Sequence, residues 1–174
     1  MKAIMISIQP EWVAKILNGN KSIEIRKTMP KCDLPIDVYI YCTKDKKYAN
    51  LINRGGFLTG MVVAKFTLNK VSEYVNGVNW KYLQKGAGSY DDFETILKPS
   101  CLTEEELSNY VEDLSFYGWH IDNLVIFDKP KELSEFKQPI DRYGKVNWNT
   151  NGNYYALLTK APQSWCYVEV EEDD

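Results

Sequence analysis

Lys21, Glu24 and Arg26 fall within one short stretch, NGNKSIEIRK (18–27), at a spacing that can do chemistry. In an extended strand successive side chains alternate, so Ser22, Glu24 and Arg26 share one face while Ile23 and Ile25 point the other way. Glu24 and Arg26 are then about 6.5–7 Å apart along the strand. A guanidinium can grip a phosphate or a guanine edge, and a carboxylate accepts hydrogen bonds from an amino group such as that of cytosine. Lys21, standing just after a Gly-Asn turn, supplies a point charge suited to a phosphate. Two readings stay open on these residues alone: an internal ion pair that fixes the fold, or the floor of a ligand site.

Other candidates lie further along the chain. Trp119 and His120 occupy opposite faces of one strand, the tryptophan suited to a core and the histidine to proton transfer. In PQSWCYVE (162–169), Gln163 and Ser164 carry groups that can read a base edge, and Trp165 or Tyr41 can stack on a base. Lys44, Lys46, Lys47 and Arg54 surround a loop that contains Tyr48, a pattern that suits a nucleic-acid backbone as well as it suits a solvated loop.

These residues must be positioned by a mainly β chain. AIMISI (3–8) reads as a central strand, and Gln9-Pro10 opens a helix whose apolar face is Trp12, Val13, Ile16 and Leu17, with Gly19 as its stop. The opening stretch follows as a strand, and PIDVYIYCT (35–43) as another. FLTGMVVAKFTLNKVSEY (57–74) reads as one long strand curved or bulged near Gly60. A short helix is expected over 79–84, and a capped helix after Thr103, where Glu106 completes a capping box. YGWHIDNLVIFDKP (117–130) reads as one strand, KELSEF as a helical turn, and APQSWCYVEV as the closing strand. The expectation is an α+β, mainly β fold: a small β-barrel decorated by several helices, in a single domain over 1–174, with a helical or loop insertion at 75–112 and a variable loop at 141–158.

The totals narrow the class. The 174 residues suffice for one sizeable core, and 44% apolar content excludes a disordered chain. No apolar run reaches the roughly 20 residues of a membrane span, and the first ten residues do not read as a signal peptide, so a cytoplasmic protein is expected. Cys32, Cys42, Cys101 and Cys166 lack metal-binding spacing and read as free thiols, with no metal or cofactor expected. The net charge of −3 conceals an asymmetry: residues 1–70 hold 12 Lys/Arg against 5 Asp/Glu, and residues 71–174 hold 9 against 19. A basic half lets one face meet a polyanion while the whole stays soluble.

The first 27 residues also carry a resemblance. SIQPEWVAKILNGNKSIEIRK resembles the opening of ASCH domains, β-barrel relatives of the PUA fold, whose mark is Gln-Pro at the first helix followed by G-x-K-x-x-E-x-R. The match here is Gly19, Lys21, Glu24 and Arg26, after Gln9-Pro10. YGWHIDNLVIFDKPKELSEF and PQSWCYVE resemble segments of a bacterial and phage-borne subgroup. The resemblance implies a PUA-like pseudo-barrel with a charged cleft near the helix and the motif strand, and RNA, a nucleotide or a modified nucleoside as partner. With the candidates read above from their chemistry, the expected ligand contacts are Lys21, Ser22, Glu24, Arg26, His120, Gln163, Ser164, Trp165 and Tyr41.

A branch of acetylcytidine amidohydrolases carries K-T-x-T-x-R, its second threonine being the nucleophile. Glu24 stands at that place and Ser22 at the first threonine's. Catalysis is therefore an open alternative, with Lys21 and Glu24 as catalytic groups and Ser22 or a water attacking a modified nucleoside or RNA. A protein-interaction module is a further alternative. The oligomeric state is not legible.

Overall fold

The computed structural model describes residues 1–45, 59–76, 82–84, 90–91, 93–112, 115–146 and 154–171. Its strands are β1 (Lys2–Ile8), β2 (Ile23–Arg26), β3 (Ile36–Cys42), β4 (Val62–Leu68), β5 (Val71–Asn76), β6 (Tyr82–Gln84), β7 (Tyr90–Asp91), β8 (Phe116–His120), β9 (Asp122–Lys131), β10 (Lys137–Pro139), β11 (Tyr155–Leu157) and β12 (Trp165–Glu169). The helices are α1 (Pro10–Leu17), α2 (Phe93–Ser100) and α3 (Glu104–Val111), and Leu133–Glu135 form a 3₁₀ turn. The chain is α+β and mainly β, as expected. Among the described residues the strands lie in two open sheets and neither closes on itself: β11-β10-β12-β1-β3-β4-β9 and β2-β8-β5-β6-β7.

The chain divides into two compact units. The first comprises Met1–Ala14, Ile36–Phe66 and Leu124–Asp174. There β1 runs parallel to β3 and antiparallel to β12, and the six residues after Lys2 in β1 are all buried. A β-branched strand buried on both faces reads as a continuous apolar run, which AIMISI is. Ala3, Met5, Tyr39, Tyr41, Val62 and Val168 form its core with Phe136, Leu158 and Val170.

The second unit comprises Lys15–Pro35 and Thr67–Asn123. Its core gathers Ile23 and Ile25 of β2, Tyr74 of β5, Phe116 of β8, Ile96 of α2, and Leu107 and Val111 of α3. Tyr74 and Phe116 stack with centroids 5.0 Å apart. The capping box of α3 is formed: Glu106 N–H donates to Thr103 Oγ1 and Thr103 N–H to Glu106 Oε2. Those bonds hold the Glu106 carboxyl below its usual range.

Three expectations are corrected. The stretch read as one strand over 57–74 is two, β4 and β5, broken at Asn69-Lys70 and assigned to different sheets. Gly60 is not a bulge but a turn residue with φ +82, its N–H donating to the Cys42 carbonyl. The strand read over 117–130 is likewise two, separated at Ile121, with Asn123 in the left-handed region at φ 49. In both cases no Gly or Pro marks the break, and at the second Asn123 takes the left-handed conformation. Tyr82–Gln84 pairs with β5 as a strand where a helix was expected, and residues 79–81 lie outside the described residues.

Gly19 ends α1 with φ +78 and nothing near its missing Cβ, so only backbone strain would oppose a side chain there. Gly19→Ala should lower stability by about 1 kcal/mol in urea unfolding, and Gly19→Asn by less, because Asn tolerates this conformation.

Candidate functional site

The motif strand is positioned by the end of α1. Gly19 N–H donates to the Ile16 carbonyl, and Lys21 N–H returns to the Lys15 carbonyl at 2.9 Å. The Ser22 amide then donates to Pro99 and the Ser22 carbonyl accepts from Ile121. From there β2 pairs antiparallel with β8, placing Glu24 opposite Trp119 and Arg26 opposite Tyr117.

All four residues of β2 are buried, so this is not a wet strand face. Lys21, Glu24 and Arg26 are 3%, 7% and 8% exposed. Glu24 joins the other two: its Oε2 lies 3.2 Å from Lys21 Nζ, and its Oε1 lies 2.9 Å from an Arg26 Nη. Lys21 Nζ also donates to the Ser100 carbonyl at 2.6 Å. Ser100 ends α2, where helix carbonyls lack internal partners and carry partial negative charge, so the ammonium caps the helix. Lys15 reaches the neighbouring Cys101 carbonyl at 3.4 Å and reinforces this cap. The row is thus an ion triad with a helix terminus attached.

Strand register fixes which candidates share its face. β5 pairs with β8 through Val71–Trp119 and Glu73–Tyr117, so Glu24, Arg26, Trp119, Tyr117, Val71 and Glu73 project from one side. Trp119 is fully buried and its Nε1 donates to the Thr28 carbonyl at 3.3 Å. Ile23, Ile25, Gly118, His120, Ser72 and Tyr74 project from the other side. His120 is therefore separated from the triad by the sheet itself. Its Nε2 shares a hydrogen bond of 2.9 Å with Ser72 Oγ, a buried partner that the alternation of VSEY gave no reason to single out. Burial, and then the charge of Lys70, hold the imidazole below its ordinary pKa, with Asp122 opposing. Ser22 is exposed.

The remaining candidates belong to the first unit. Gln163 is exposed, Ser164 accepts the Ser7 amide at 2.9 Å through its carbonyl, and Trp165 is half-buried, edge-on to Tyr167 at 5.5 Å. Tyr41 pairs with Ser7 in β1, and its register places it on the face with Met5, whereas Trp165 is opposite Ile6 on the other face. The two aromatics do not form one stacking pocket. Burial raises the Tyr41 hydroxyl pKa, with Cys42 and Glu132 adding to it. Burial also pushes the Cys42 and Cys166 thiols up to about 12, so neither is a ready nucleophile. Lys44 is exposed, whereas Lys46, Lys47, Tyr48 and Arg54 lie outside the described residues. No described helix is long and apolar enough to cross a membrane.

Two outcomes follow from this geometry. Replacing Glu24 by Gln removes the only carboxylate of the triad and leaves two cations buried around a neutral amide. The cost should be about 3–5 kcal/mol in urea unfolding. His120 binds its proton less readily folded than unfolded, so its contribution is complete above about pH 6.5 and is lost as pH falls through the lowered folded value. Urea midpoints between about pH 7 and 5 should fall more steeply for the parent than for His120→Asn.

Comparison with known proteins adds the following. The family model of the ASCH domain matches residues 6–127. No curated protein matches the chain. The crystal structure of ASCH from Zymomonas mobilis superposes with a TM-score of 0.53 at 17% identity, covering 96% of this chain and 87% of that one. Two single-substitution variants of the Zymomonas mobilis protein give TM-scores of 0.52 and 0.53 at 17% and 16% identity, over 97% and 96% of this chain and 91% and 88% of theirs.

Proposed function

This chain belongs to the ASCH-domain family, and on that premise we propose that it is an RNA- or nucleotide-binding module whose ligand contact centres on Arg26. One observation carries the reading: the motif residues Lys21, Glu24 and Arg26 converge in one ion-paired row, with Glu24 and Arg26 on one face of the sheet. Glu24 orients the guanidinium, and a pre-oriented fork binds phosphate or a guanine edge without first losing side-chain freedom. Its side chain is 10% exposed, which suits one base or phosphate group better than a long run of backbone. The excess of Lys and Arg over Asp and Glu in residues 1–70 favours an anionic partner.

The same geometry favours binding over hydrolysis. Both oxygens of Glu24 are held by cations, so the carboxylate is committed to Lys21 and Arg26 rather than open to a water. Lys21 is likewise committed to Glu24 and the end of α2.

The test is titration of labelled single-stranded RNA, and of free nucleotides, at low and moderate salt. The parent should bind, with affinity falling as salt rises. Arg26→Ala should weaken binding at least tenfold and reduce the salt slope by about one, and Arg26→Lys should restore only part of the affinity. Unfolding curves of both variants separate lost binding from lost fold. Unchanged RNA affinity in a folded Arg26→Ala would move the contact elsewhere.

A further inference from the structure

The hairpin arm at one edge of the seven-stranded sheet is built to present aromatic rings to solvent. β10 pairs with β11 through Lys137–Leu157 and Pro139–Tyr155, and β11 is the outermost strand. Beyond β10, Ile140 bridges Val146 and encloses a tight turn. Asp141 organises that turn: its Oδ1 accepts from the amides of Tyr143 at 2.8 Å and Lys145 at 2.9 Å. The Asp141 amide donates to the Lys145 carbonyl, and Gly144, at φ +79, donates to the Asp141 carbonyl. The turn is thus fixed by main-chain and Asp141 bonds.

At its tip Tyr143 is 74% exposed, with the Arg142 guanidinium 4.8 Å from its ring centroid. Tyr154 and Tyr155 are 57% and 45% exposed, and Leu157 is 53% exposed. Among the other described tyrosines, Tyr39, Tyr41, Tyr74 and Tyr167 are each less than 9% exposed and Tyr110 is 39% exposed. Such a concentration of open rings marks an interaction surface. The local charge says of what kind. Residues 137–157 hold three cations (Lys137, Arg142 and Lys145) and one acid, within the half of the sequence that is otherwise strongly acidic. The one acid, Asp141, is occupied by the turn amides.

We propose that this arm is a stacking surface for single-stranded RNA, with Tyr143 and Tyr155 receiving bases and Arg142 and Lys145 meeting phosphates. Rings at a sheet edge, interleaved with cations, are what an unpaired strand requires, because every base has a face to stack and every nucleotide a charge. The inference rests on the RNA-binding reading given above but uses none of the same residues.

The experiment is fluorescence anisotropy of the full chain with labelled oligouridine, oligoadenine and a blunt RNA duplex at about 50 and 200 mM salt. Tyr143→Ala and Tyr155→Ala should each weaken single-strand binding about tenfold with the salt slope unchanged. Tyr143→Trp should restore it. The double substitution Arg142→Ala with Lys145→Ala should lower the salt slope by about 1.4. Because these side chains are exposed, all variants should unfold as the parent does. Parent-like binding by both tyrosine variants, in a protein whose binding Arg26→Ala abolishes, would overturn the arm alone and leave the functional reading standing. Loss of self-association in sedimentation, with RNA affinity intact, would overturn it in favour of a contact between copies of this chain. A parent that binds no RNA would overturn both.

Discussion

The carboxylate of Glu24 is the interaction on which the second unit depends. Two cations from its own strand and the preceding turn approach it within 3.2 Å, in a place where none of the three side chains is more than a tenth exposed. Removing such charges from water costs several kcal/mol each, and only close pairing with further hydrogen bonds offsets it. Glu24 supplies the pairing, and the end of α2 supplies the further bond to Lys21. Since α2 in turn contributes Ile96 to the core on the opposite side of β2, the charged and apolar faces of the strand stabilise each other. A motif that looks like a binding signature is also a structural joint.

The sheet separates two kinds of chemistry. On the triad's side, Trp119 covers the strand pairing with an indole that donates to a main-chain carbonyl. On the other, Gly118 leaves room for close approach: a Cβ there would meet Ile23 at 3.1 Å and Tyr74 at 3.3 Å. His120 and Ser72 satisfy each other at the margin of that apolar side. A histidine kept neutral by burial beside a serine suits a local structural bond, and it has no path to the triad's chemistry across a β-sheet.

Much of this was legible in the sequence where local rules decide. The order strand, helix, turn, strand over the first 27 residues follows from the Pro10 start, the Gly19 stop and the alternation after it, and the Thr103–Glu106 box marks α3. Alternation alone also put Trp119 and His120 on opposite faces. What failed was non-local. VVAKFTLNKVSEY carries strand-forming residues almost without pause, and nothing in it says that its halves join different sheets. α2 lies inside the stretch read only as a helical or loop insertion over 75–112, and its ending in Lys98-Pro99-Ser100 gave no sign that Lys21 would cap it. Periodicity tells which side chains share a face, but not that this face is covered, and so the triad's burial came only with the structure.

The identity of residue 24 decides what the row can be. A threonine hydroxyl at this position would be a small group able to attack a carbonyl once deprotonated, leaving the neighbouring lysine available to assist. A carboxylate cannot attack in that way, and here it also draws Lys21 and Arg26 into a closed set of contacts. Lys21 then has both a counter-charge and a helix carbonyl as partners. Of the three, the guanidinium is the group whose charge does not depend on proton transfer and whose planar fork serves more than one acceptor. A carboxylate at residue 24 therefore removes the hydroxyl and at the same time fixes the arginine, and that fixed guanidinium is the arrangement on which the binding proposal rests.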